Sequence, residues 1–343
     1  MRMQVLKFGG TSLQSPDLRH KATSRVREAL MQGWTPVVVV SAFGRRGDPY
    51  ATDTLVDLAQ GVDPEVPSRE VAMLASCGEV LAMVVMASVF RHAGIQAVAL
   101  TGAQAGIKTV GDYTGAHIQS VEVGALVARL RQGCVPVIAG FQGAMASGEV
   151  TTLDRGGSDI SSTALGYALQ AEHVDIYTDV PGVMTADPRL VRDARLIETL
   201  TFEQALLLAH QGAKVIHPEA VEWARRGSLT LYVRSLSTAG QGTRIAHGPA
   251  SVRANGSAVG IACKPGDASG SAVVSVVGAL SPESASLLQV TRTILSTTGV
   301  PCMALEATSG VVMATVPVAQ MAVAAHVLHA HFLPGRTAEP YAA

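Results

Sequence analysis

Short β-branched runs alternate with amphipathic helical patterns along most of this chain, and this alternation limits the folds open to it. The first unit has Gln4 to Phe8 as a strand, then a glycine turn and an apolar stripe at helical spacings. The stripe predicts a helix between Ser15 and Gly33, followed by a second strand at Val37 to Val40. Further strand-like runs are Ala97 to Leu100, Val135 to Ala139, Val174 to Thr178 and Leu229 to Val233. Helical connections between such strands predict an α/β fold with a mainly parallel central sheet that helices cover on both faces.

The pattern changes after the last of these strands. Ser237 to Gly270 is rich in Gly, Ser, Ala and Pro, which is typical of a junction rather than of a core element. Strands are then predicted at Gly260 to Cys263, Ala272 to Val277, Pro301 to Leu305 and Val311 to Thr315, with helices at Pro282 to Ser296 and Val318 to His331. These elements predict a compact α+β module in the C-terminal part of the chain.

Charge and hydropathy exclude several kinds of partner. The 343 residues carry a formal net charge of -1, so no basic field attracts nucleic acid or an anionic membrane. The longest apolar run, Val80 to Val89, is too short to span a bilayer, and the N-terminus has no signal-peptide pattern. We therefore expect a cytoplasmic protein, in which the sequon at Asn255 is not glycosylated.

Cysteines and a histidine cluster are candidate metal ligands that we interpret otherwise. The cysteines are Cys77, Cys134, Cys263 and Cys302. They form no CxxC pair, which favours buried free thiols over a metal site or a disulfide. His326, His329 and His331 place two imidazoles on one helical face, but no carboxylate or cysteine completes a ligand set. We interpret this histidine cluster as a solvated helix end.

The turn after the first strand, KFGGTS at residues 7–12, has the chemistry needed to hold a phosphate. Glycines let backbone amides approach phosphate oxygens, Lys7 supplies a cation, and the next helix points its positive end inward. A Walker A loop is excluded because Gly106 does not directly precede Lys108, and no GxGxxG follows a strand. From these residues alone, a phosphate-binding turn and an ordinary strand-to-helix turn with a solvated lysine remain equally open.

Two further polar loops follow predicted strands. The first, Thr151 to Asp159, combines an arginine, two glycines, a serine and a carboxylate at the start of a helix predicted over Ile160 to Leu169. Such a set can hold an anion and a metal together. The second loop runs from Tyr177 to Arg189. Because open α/β sheets bind ligands at the carboxyl ends of their strands, these loops favour a binding site over simple hydrophilic connections.

Together the motifs resemble those of the aspartokinases in the amino acid kinase superfamily. The resemblance rests on KFGGTS, VVVVSAFGRRGDPYATD, SCGE, TGAQAG, AGFQG, RGGSD, YTDVPGVMTADPR, QGAKVIHP and YVRS, and it covers residues 3 to 246. It implies an αβα catalytic domain at residues 1–246, a linker at 247–259 and a single, shortened ACT-like domain at 260–335. The implied reaction transfers the ATP γ-phosphate to the β-carboxylate of L-aspartate. The product would be 4-phospho-L-aspartate, the first intermediate toward lysine, threonine and methionine.

The resemblance also implies a role for each matching residue. Lys7 and Asp159 would be catalytic, Lys7 by stabilising the transferring phosphoryl group and Asp159 by organising nucleotide, magnesium and lysine. The aspartate-binding set would be Ser41, Thr52, Glu79, Phe141, Arg155 and Ser158. In it, Arg155 would bind the α-carboxylate and Glu79 the ammonium group. The ATP-binding set would be Lys7, Gly9, Gly10, Thr178, Asp179, Arg189 and Lys214. ATP and Mg²⁺ are the implied cofactors, with no protein ligand assigned to the metal, and a homodimer is the implied assembly.

The chain departs from the family pattern at two places. Asp154 stands where the family usually has glycine, and we expect it to weaken aspartate binding or to change substrate preference. The expected causes are a positive φ that Asp tolerates less well and partial neutralisation of Arg155. The tail has room for one ACT-like module where aspartokinases usually have two, which predicts weak or absent inhibition by lysine and threonine. Two alternatives stay open: a related kinase for another acidic amino acid, and a weakly active regulatory or partner subunit.

Overall fold

The computed structural model describes residues 1–238, 240–248, 258–278 and 284–334. The chain divides into two compact units, Met1–Pro181 with Glu219–Gln241, and Gly182–Pro218 with Gly242–Ala343. The second unit therefore includes a segment from the middle of the chain. Most of the predicted linker at 247–259 lies outside the described residues, as do Asn255 and the start of the helix predicted from Pro282. The domain boundaries at residues 246 and 260 stay predictions.

Strands and helices alternate along the chain. The strands are β1 (Met3–Phe8), β2 (Thr35–Val40), β3 (Ala97–Leu100), β4 (Ile107–Val110), β5 (His117–Val121), β6 (Val135–Ala139), β7 (Gln142–Ala144), β8 (Val150–Thr152), β9 (His173–Thr178), β10 (Thr199–Leu200), β11 (Thr230–Ser235), β12 (Thr243–Ile245), β13 (Ala258–Pro265), β14 (Ser271–Gly278), β15 (Ala304–Thr308) and β16 (Val311–Pro317). The helices are α1 (Pro16–Met31), α2 (Thr52–Val62), α3 (Ser68–His92), α4 (Gly124–Arg131), α5 (Gly157–Leu169), α6 (Phe202–His210), α7 (Pro218–Arg226), α8 (Ser284–Thr297) and α9 (Met321–Phe332).

The first unit is built on parallel strands in the order β11-β9-β1-β2-β6-β3. Their bounds lie within two residues of the predicted runs, so the mainly parallel sheet is confirmed. Leu6 and Phe8 share one buried cluster with Val26 of α1 and Met86 of α3. On the opposite face, Gly166 of α5 packs so closely that a side chain there would meet Val174 at 2.8 Å. Alternating side chains of the strands therefore bury both faces, as the predicted αβα layers require.

Helix α1 begins as the sequence predicts. The Ser15 side chain accepts a hydrogen bond from the Leu18 amide at 3.2 Å, and Pro16 and Asp17 occupy the first turn. This N-cap satisfies a backbone donor that the helix leaves unpaired, and it fixes where the chain leaves the glycine turn.

A smaller sheet in the first unit has the order β5-β4-β7-β8 and was not predicted. Its strands have three to five residues, too few to show a clear period of two in the sequence. The buried hydroxyls of Thr109 and Thr151 lie 2.6 Å apart across it. Strand β8 ends at Thr152, so this sheet sets the position at which the loop containing Arg155 begins.

The second unit contains an antiparallel sheet of order β13-β14-β16-β15. Side chains of β14 and β16, such as Val274 and Val312, form one buried cluster with Leu295 of α8 and Leu328 of α9. The separate α+β module is therefore confirmed. Strand β15 starts three residues later than the predicted strand at Pro301, a residue without an N–H to donate to the ladder.

The histidine cluster is not a solvated helix end, because His329 is only 2% exposed. Its Nε2 lies 2.8 Å from Oγ1 of Thr185, in the segment that the second unit takes from the middle of the chain. Burial lowers the pKa of His329 to about 4, and the positive charge of Arg195 acts in the same direction. His326 and His331 are exposed, and the described part of the chain holds no metal-binding group of three or more His, Cys, Asp or Glu.

The prediction of buried cysteines is also wrong. All four thiols are free, but Cys77 and Cys302 are exposed, and Cys134 and Cys263 are only partly buried. Cys77 lies on an outer face of α3 together with Met73 and Val84, whose side chains are likewise exposed. The lack of a CxxC pair therefore did not indicate burial, and apolar residues on the same helix face as Cys77 are themselves exposed.

Helix α3 extends well beyond the apolar run Val80 to Val89, which by itself is too short to span a bilayer. It has 25 residues, enough by length and composition to cross a bilayer. Half of its most apolar window is buried inside the protein, and core helices of soluble proteins also meet this test. Length and composition are therefore weak support for a membrane span.

Candidate active site

A buried ion pair connects two of the predicted site residues. Lys7 lies on β1 and Asp159 in the first turn of α5, and the Lys7 Nζ is 2.6 Å from Asp159 Oδ1. Each residue is 7% exposed. Because two charges are costly to bury, the pair needs either close mutual compensation or a ligand that uses them. The position of the pair near the carboxyl end of β1 is where open α/β sheets bind ligands.

The glycine turn lies directly beside this pair. The Gly9 amide donates to the Tyr177 carbonyl at 2.9 Å, so it holds the turn to the end of β9. Gly10 allows the loop after β2 to approach, because a Cβ at this position would lie 2.1 Å from the Ala42 carbonyl oxygen. The two glycines thus bring the ends of β9, β1 and β2 together, and the predicted contacts of Gly9 and Gly10 with ATP stay predictions.

Ser41, Ser158 and Glu79 extend the cluster from Asp159 toward α3. The hydroxyls of Ser41 and Ser158 lie 2.8 Å apart, and the next amide, that of Ala42, donates to Glu79 Oε1 at 3.1 Å. Glu79 is 3% exposed, and its Oε2 has no hydrogen-bond partner among the described residues. Burial raises the pKa of Glu79 to about 8, which the Ala42 amide partly opposes. An incoming cation would stabilise the charged form of this carboxylate.

Phe141 has the backbone conformation of a constrained residue. Its φ is 65°, in the left-handed region that bulky side chains rarely adopt. The neighbouring contacts hold it there: the Phe141 amide donates to Ser161 Oγ at 3.0 Å, and its carbonyl accepts from the Leu153 amide at 2.8 Å. Backbone strain of this kind is often found at functional sites. The structure places Phe141 against Gly157 of α5, whose missing Cβ would lie 2.9 Å from the ring.

Arg155 lies near the start of α2, where Thr52 precedes Asp53, and the Thr52 side chain acts on Glu79 by lowering its pKa. The Arg155 Nη1 lies 3.7 Å from Asp53 Oδ2, and Asp53 follows Thr52 in the first turn of α2. The Arg155 side chain is 87% exposed, so it reaches into solvent at the rim of the buried cluster. An exposed pair of this length is weak, and the guanidinium can exchange it for another carboxylate at little cost.

The strain expected at Asp154 is absent. Phe141, Gln170 and Ser228 are the non-glycine residues with positive φ in the part of the chain that the structure describes. It is Gly156, not Asp154, that adopts the left-handed conformation before α5, with a φ of 90°. The ion pair found for Arg155 is with Asp53, and Asp154 is exposed. The conformational part of the Asp154 hypothesis is therefore wrong.

A cleft of about 430 Å³ opens beside the glycine turn. Its lining residues are Thr11, Ser12, Gln14, Leu18, Arg45, Thr178, Asp179 and Ser237. Thr178 and Asp179, which end β9 and follow it, were predicted to bind nucleotide, and the Thr178 hydroxyl donates to Asp179 Oδ1 at 3.1 Å. Asp179 Oδ2 accepts from the Arg45 Nη2 at 2.6 Å. The mostly hydroxyl-bearing and charged lining suits a polar ligand.

Arg189 and Lys214, also predicted to contact nucleotide, belong to the second unit. Arg189 forms two short bonds with Asp187 through its guanidinium, and these bonds lower the pKa of that carboxyl. Lys214 is exposed in the connection between α6 and α7. The predicted roles of Arg189 and Lys214 stay predictions.

Arg45 and Asp53 are the charged site residues that sequence reasoning missed. Both lie in the GRRGDPYATD segment, whose charges are crowded into a loop without a periodic pattern. A signal was present, because the loop follows a strand adjacent to β1 and its arginines lie near the carboxyl edge of the sheet.

A mainly parallel sheet with charged side chains where its strands end defines the class of protein: an open α/β protein, a class that binds ligands at this edge of the sheet. The model of the amino acid kinase family matches residues 2–235. The chain therefore belongs to the amino acid kinase family.

The proteins to which this chain is similar are aspartokinases, also called aspartate kinases. Aspartokinase 1 of Bacillus subtilis (strain 168) is 46% identical over 245 residues, which are 71% of this chain and 61% of that protein. The chain thus spans less than two thirds of the length of this relative. The aspartate kinase structure from Synechocystis has a TM-score of 0.63 at 27% identity and covers 98% of this chain and 71% of its own. E. coli aspartokinase III, solved with aspartate and ADP, has a TM-score of 0.66 at 22% identity, over 93% of this chain and 80% of its own, and it supports the fold alone.

Proposed function

We propose that the chain is an ATP-dependent aspartate kinase. The observation that carries the proposal is the buried Lys7–Asp159 pair, which lies beside a glycine turn at the end of a parallel strand. Phosphoryl transfer depends on positioned cations around the transferred group, and Lys7 supplies one at this corner of the sheet. The 46% identity to a B. subtilis aspartokinase supports aspartate as the acceptor.

In the proposed reaction no protein nucleophile is needed. A β-carboxylate oxygen of aspartate attacks the γ-phosphorus, a new O–P bond forms, and the bond to the bridging oxygen of ADP breaks. Lys7 stabilises the charge that spreads over the transferring phosphoryl oxygens, and Asp159 holds Lys7 in place at 2.6 Å.

The aspartate side of the proposed site uses the connected cluster described above. Glu79 would take the ammonium group, since a buried carboxylate with an unpartnered oxygen favours a cation. Arg155 would exchange Asp53 for the α-carboxylate, and the Ser41 and Ser158 hydroxyls would lie between them.

Magnesium fits this site as a companion of the nucleotide. Mg²⁺ is usually held by one or two carboxylates together with substrate phosphates and water, and Asp159 offers one such carboxylate. No group of three or more potential ligands exists in the described residues, which favours entry of the ion with ATP. When bound, the ion would neutralise phosphate charge.

The proposal also includes the substrates, the cellular location, the assembly and the pathway. The B. subtilis relative, an aspartokinase, supports aspartate as a substrate of this chain, with ATP as the phosphoryl donor. Cytoplasmic location, a homodimer, and a place at the start of lysine, threonine and methionine biosynthesis belong to the same proposal.

The test is to trap the acyl phosphate with hydroxylamine. Purified full-length chain is incubated with MgATP and, in turn, aspartate, glutamate and N-acetylglutamate, and hydroxamate and ADP are measured. Hydroxamate with aspartate alone is expected. Hydroxamate with another acidic amino acid alone would indicate a kinase of a specialised pathway. No hydroxamate with any of the three would contradict the proposal and favour a partner subunit.

A further inference from the structure

Arg45 and Asp179 form a bridge across the glycine turn. Asp179 follows β9 and Arg45 lies in the loop after β2, and β1 runs between these two strands in the sheet. The guanidinium Nη2 and the Asp179 Oδ2 are 2.6 Å apart. Both residues line the cleft beside Thr11 and Ser12. The pair therefore spans the mouth of the turn, next to the position proposed for the phosphates.

Hydrogen bonds hold the backbone of Arg45, whereas its side chain is largely exposed to solvent. The Arg45 amide donates to Asp48 Oδ2 at 2.8 Å, and the Asp48 amide donates to the Arg45 carbonyl at 2.9 Å. The Gly44 amide reaches the Gly10 carbonyl at 3.4 Å, which attaches this loop to the glycine turn. These contacts hold the base of the side chain close to the cleft.

The bridge itself is easy to break. The Arg45 and Asp179 side chains are 71% and 45% exposed, and ion pairs this open to solvent contribute about 0–1 kcal/mol. A diphosphate carries several negative charges, and its oxygens match the planar fork of a guanidinium. A nucleotide entering the cleft is thus a stronger partner for Arg45 than a single exposed carboxylate.

We propose that Arg45 is a nucleotide-binding residue that leaves Asp179 and binds the diphosphate of ADP or ATP when the nucleotide enters the cleft. This inference rests on the proposed kinase function and adds a residue to its nucleotide site. Asp179 then acts as the resting partner of Arg45 as well as a wall of the cleft. Lys7 remains the residue at the transferred phosphoryl group.

Arg46 is a matched control because it lies one residue away and faces other partners. Its guanidinium is 3.5 Å from Asp57 and 3.9 Å from Asp53, both in α2, and it is not among the residues that line the cleft. Arg45→Gln and Arg46→Gln therefore remove the same charge from the same loop. They differ in whether the lost guanidinium reaches the cleft.

The experiment measures ADP and AMP binding by calorimetry for the parent, Arg45→Gln, Arg45→Lys and Arg46→Gln, with thermal unfolding as the check on folding. We expect Arg45→Gln to weaken ADP about 10-fold, as loss of a charge-assisted phosphate contact would, and to change AMP less than ADP. Arg45→Lys should recover part of the loss, and Arg46→Gln should stay within about 2-fold of the parent because rim charges contribute little. In kinetics, the ATP KM should rise while the aspartate KM does not.

The outcomes separate this inference from the function on which it rests. Equal ADP affinities of the parent and Arg45→Gln, with hydroxamate still formed, would overturn the role of Arg45 and leave the kinase intact. An equal loss in Arg45→Gln and Arg46→Gln would overturn it too, because a general charge effect would then suffice. A parent chain that binds no ADP and forms no hydroxamate would overturn both.

Discussion

Each unit buries a pair of polar side chains, but the pair in the first unit is charged and the pair in the second unit is neutral. In the first unit, Lys7 and Asp159 are oppositely charged groups, each 7% exposed, beside the glycine turn. In the second unit, His329 and Thr185 are 2% and 8% exposed, and the imidazole is held neutral, with its pKa lowered to about 4. Burial in the second unit thus removes a charge, whereas the first unit retains two.

The surroundings of the two pairs explain this difference. Thr185 Oγ1 also accepts from the Arg195 amide at 2.9 Å, and the Thr185 carbonyl accepts from Ile261 at 2.7 Å. These bonds lie within one packed unit and join β13 and α9 to the segment that carries Thr185. Lys7 and Asp159 instead lie beside the glycine turn, at the edge of the sheet where open α/β folds bind ligands. A neutral pair suits structure, and a charged pair suits binding and chemistry.

The largest test of this contrast is Lys7→Met. If Lys7 serves chemistry, turnover should fall roughly 10³-fold, as for loss of a transition-state charge stabiliser. The same change leaves the Asp159 carboxylate buried without its partner, at a cost of about 3–5 kcal/mol of stability. Hydroxamate formation and thermal unfolding are measured together.

Two further variants separate chemistry from folding. Lys7→Met with Asp159→Asn removes both charges and should regain stability but not activity. Lys21→Met, on the exposed side of α1, should match the parent in both. Full activity in the folded double variant would show that the charged pair is structural, which would remove the contrast with His329.

Glu79→Gln tests whether the buried carboxylate of Glu79 binds the ammonium group of aspartate. The pKa of Glu79 is raised to about 8, so the free protein binds a proton there that the unfolded chain releases. Its contribution to stability is therefore full below the ordinary carboxyl pKa and is lost as pH rises through about 8. Aspartate that binds the charged form should bind roughly 10-fold more weakly at pH 7 than at pH 9.

Calorimetry in two buffers of different ionisation enthalpy measures the proton released at Glu79 when aspartate binds. Glu79→Gln should bind aspartate about 10–100-fold more weakly, as expected on losing a charged hydrogen-bond partner, and should show no linked proton release. An unchanged pH profile in this variant would mean that another group is responsible.

His329→Gln probes the second unit, since Gln can place a polar atom where Nε2 contacts Thr185. The His329 pKa is lowered, so the unfolded chain takes up a proton that the folded chain does not. Its contribution to stability is full above the ordinary His pKa and is lost as pH falls toward about 4. Between pH 7 and pH 4.5 the parent should lose about 2 kcal/mol more than His329→Gln.

Charged and titratable groups around His329 shift its pKa and so affect this pH dependence. Arg195 lowers the His329 pKa, as does His326, whereas Asp193 raises it. Hydrogen exchange of the Ile261 amide, which donates to Thr185, reports the local opening. His326→Gln is the exposed control. If both variants follow the parent curve, the buried imidazole is not the titrating group.

The sequence predicted the elements of the site better than its pairings. Lys7, Gly9 and Gly10 were recognisable because a strand, a glycine turn and a helix cap occur together in a short stretch. The Arg45–Asp179 bridge depends on strand order, which places β1 between β9 and β2, and local patterns do not encode that order. His329 was misjudged for the same reason, since it is buried by Thr185, 144 residues away.

Asp154→Gly should have the smallest effect of these variants. It tests an exposed charge, whereas the variants above test buried groups. Asp154 is exposed and lies outside the positive-φ region, so glycine relieves no strain there. What remains is the field of an exposed carboxylate near Arg155, which solvent largely screens. The aspartate KM should therefore fall by no more than about 3-fold, with turnover unchanged and the effect lost at high salt.

Steady-state kinetics at low and high ionic strength, with Asp112→Gly as an exposed control, decide the matter. A KM shift of 10-fold or more, or a switch to glutamate, would mean that Asp154 acts by direct contact with substrate, as the buried charges are proposed to do.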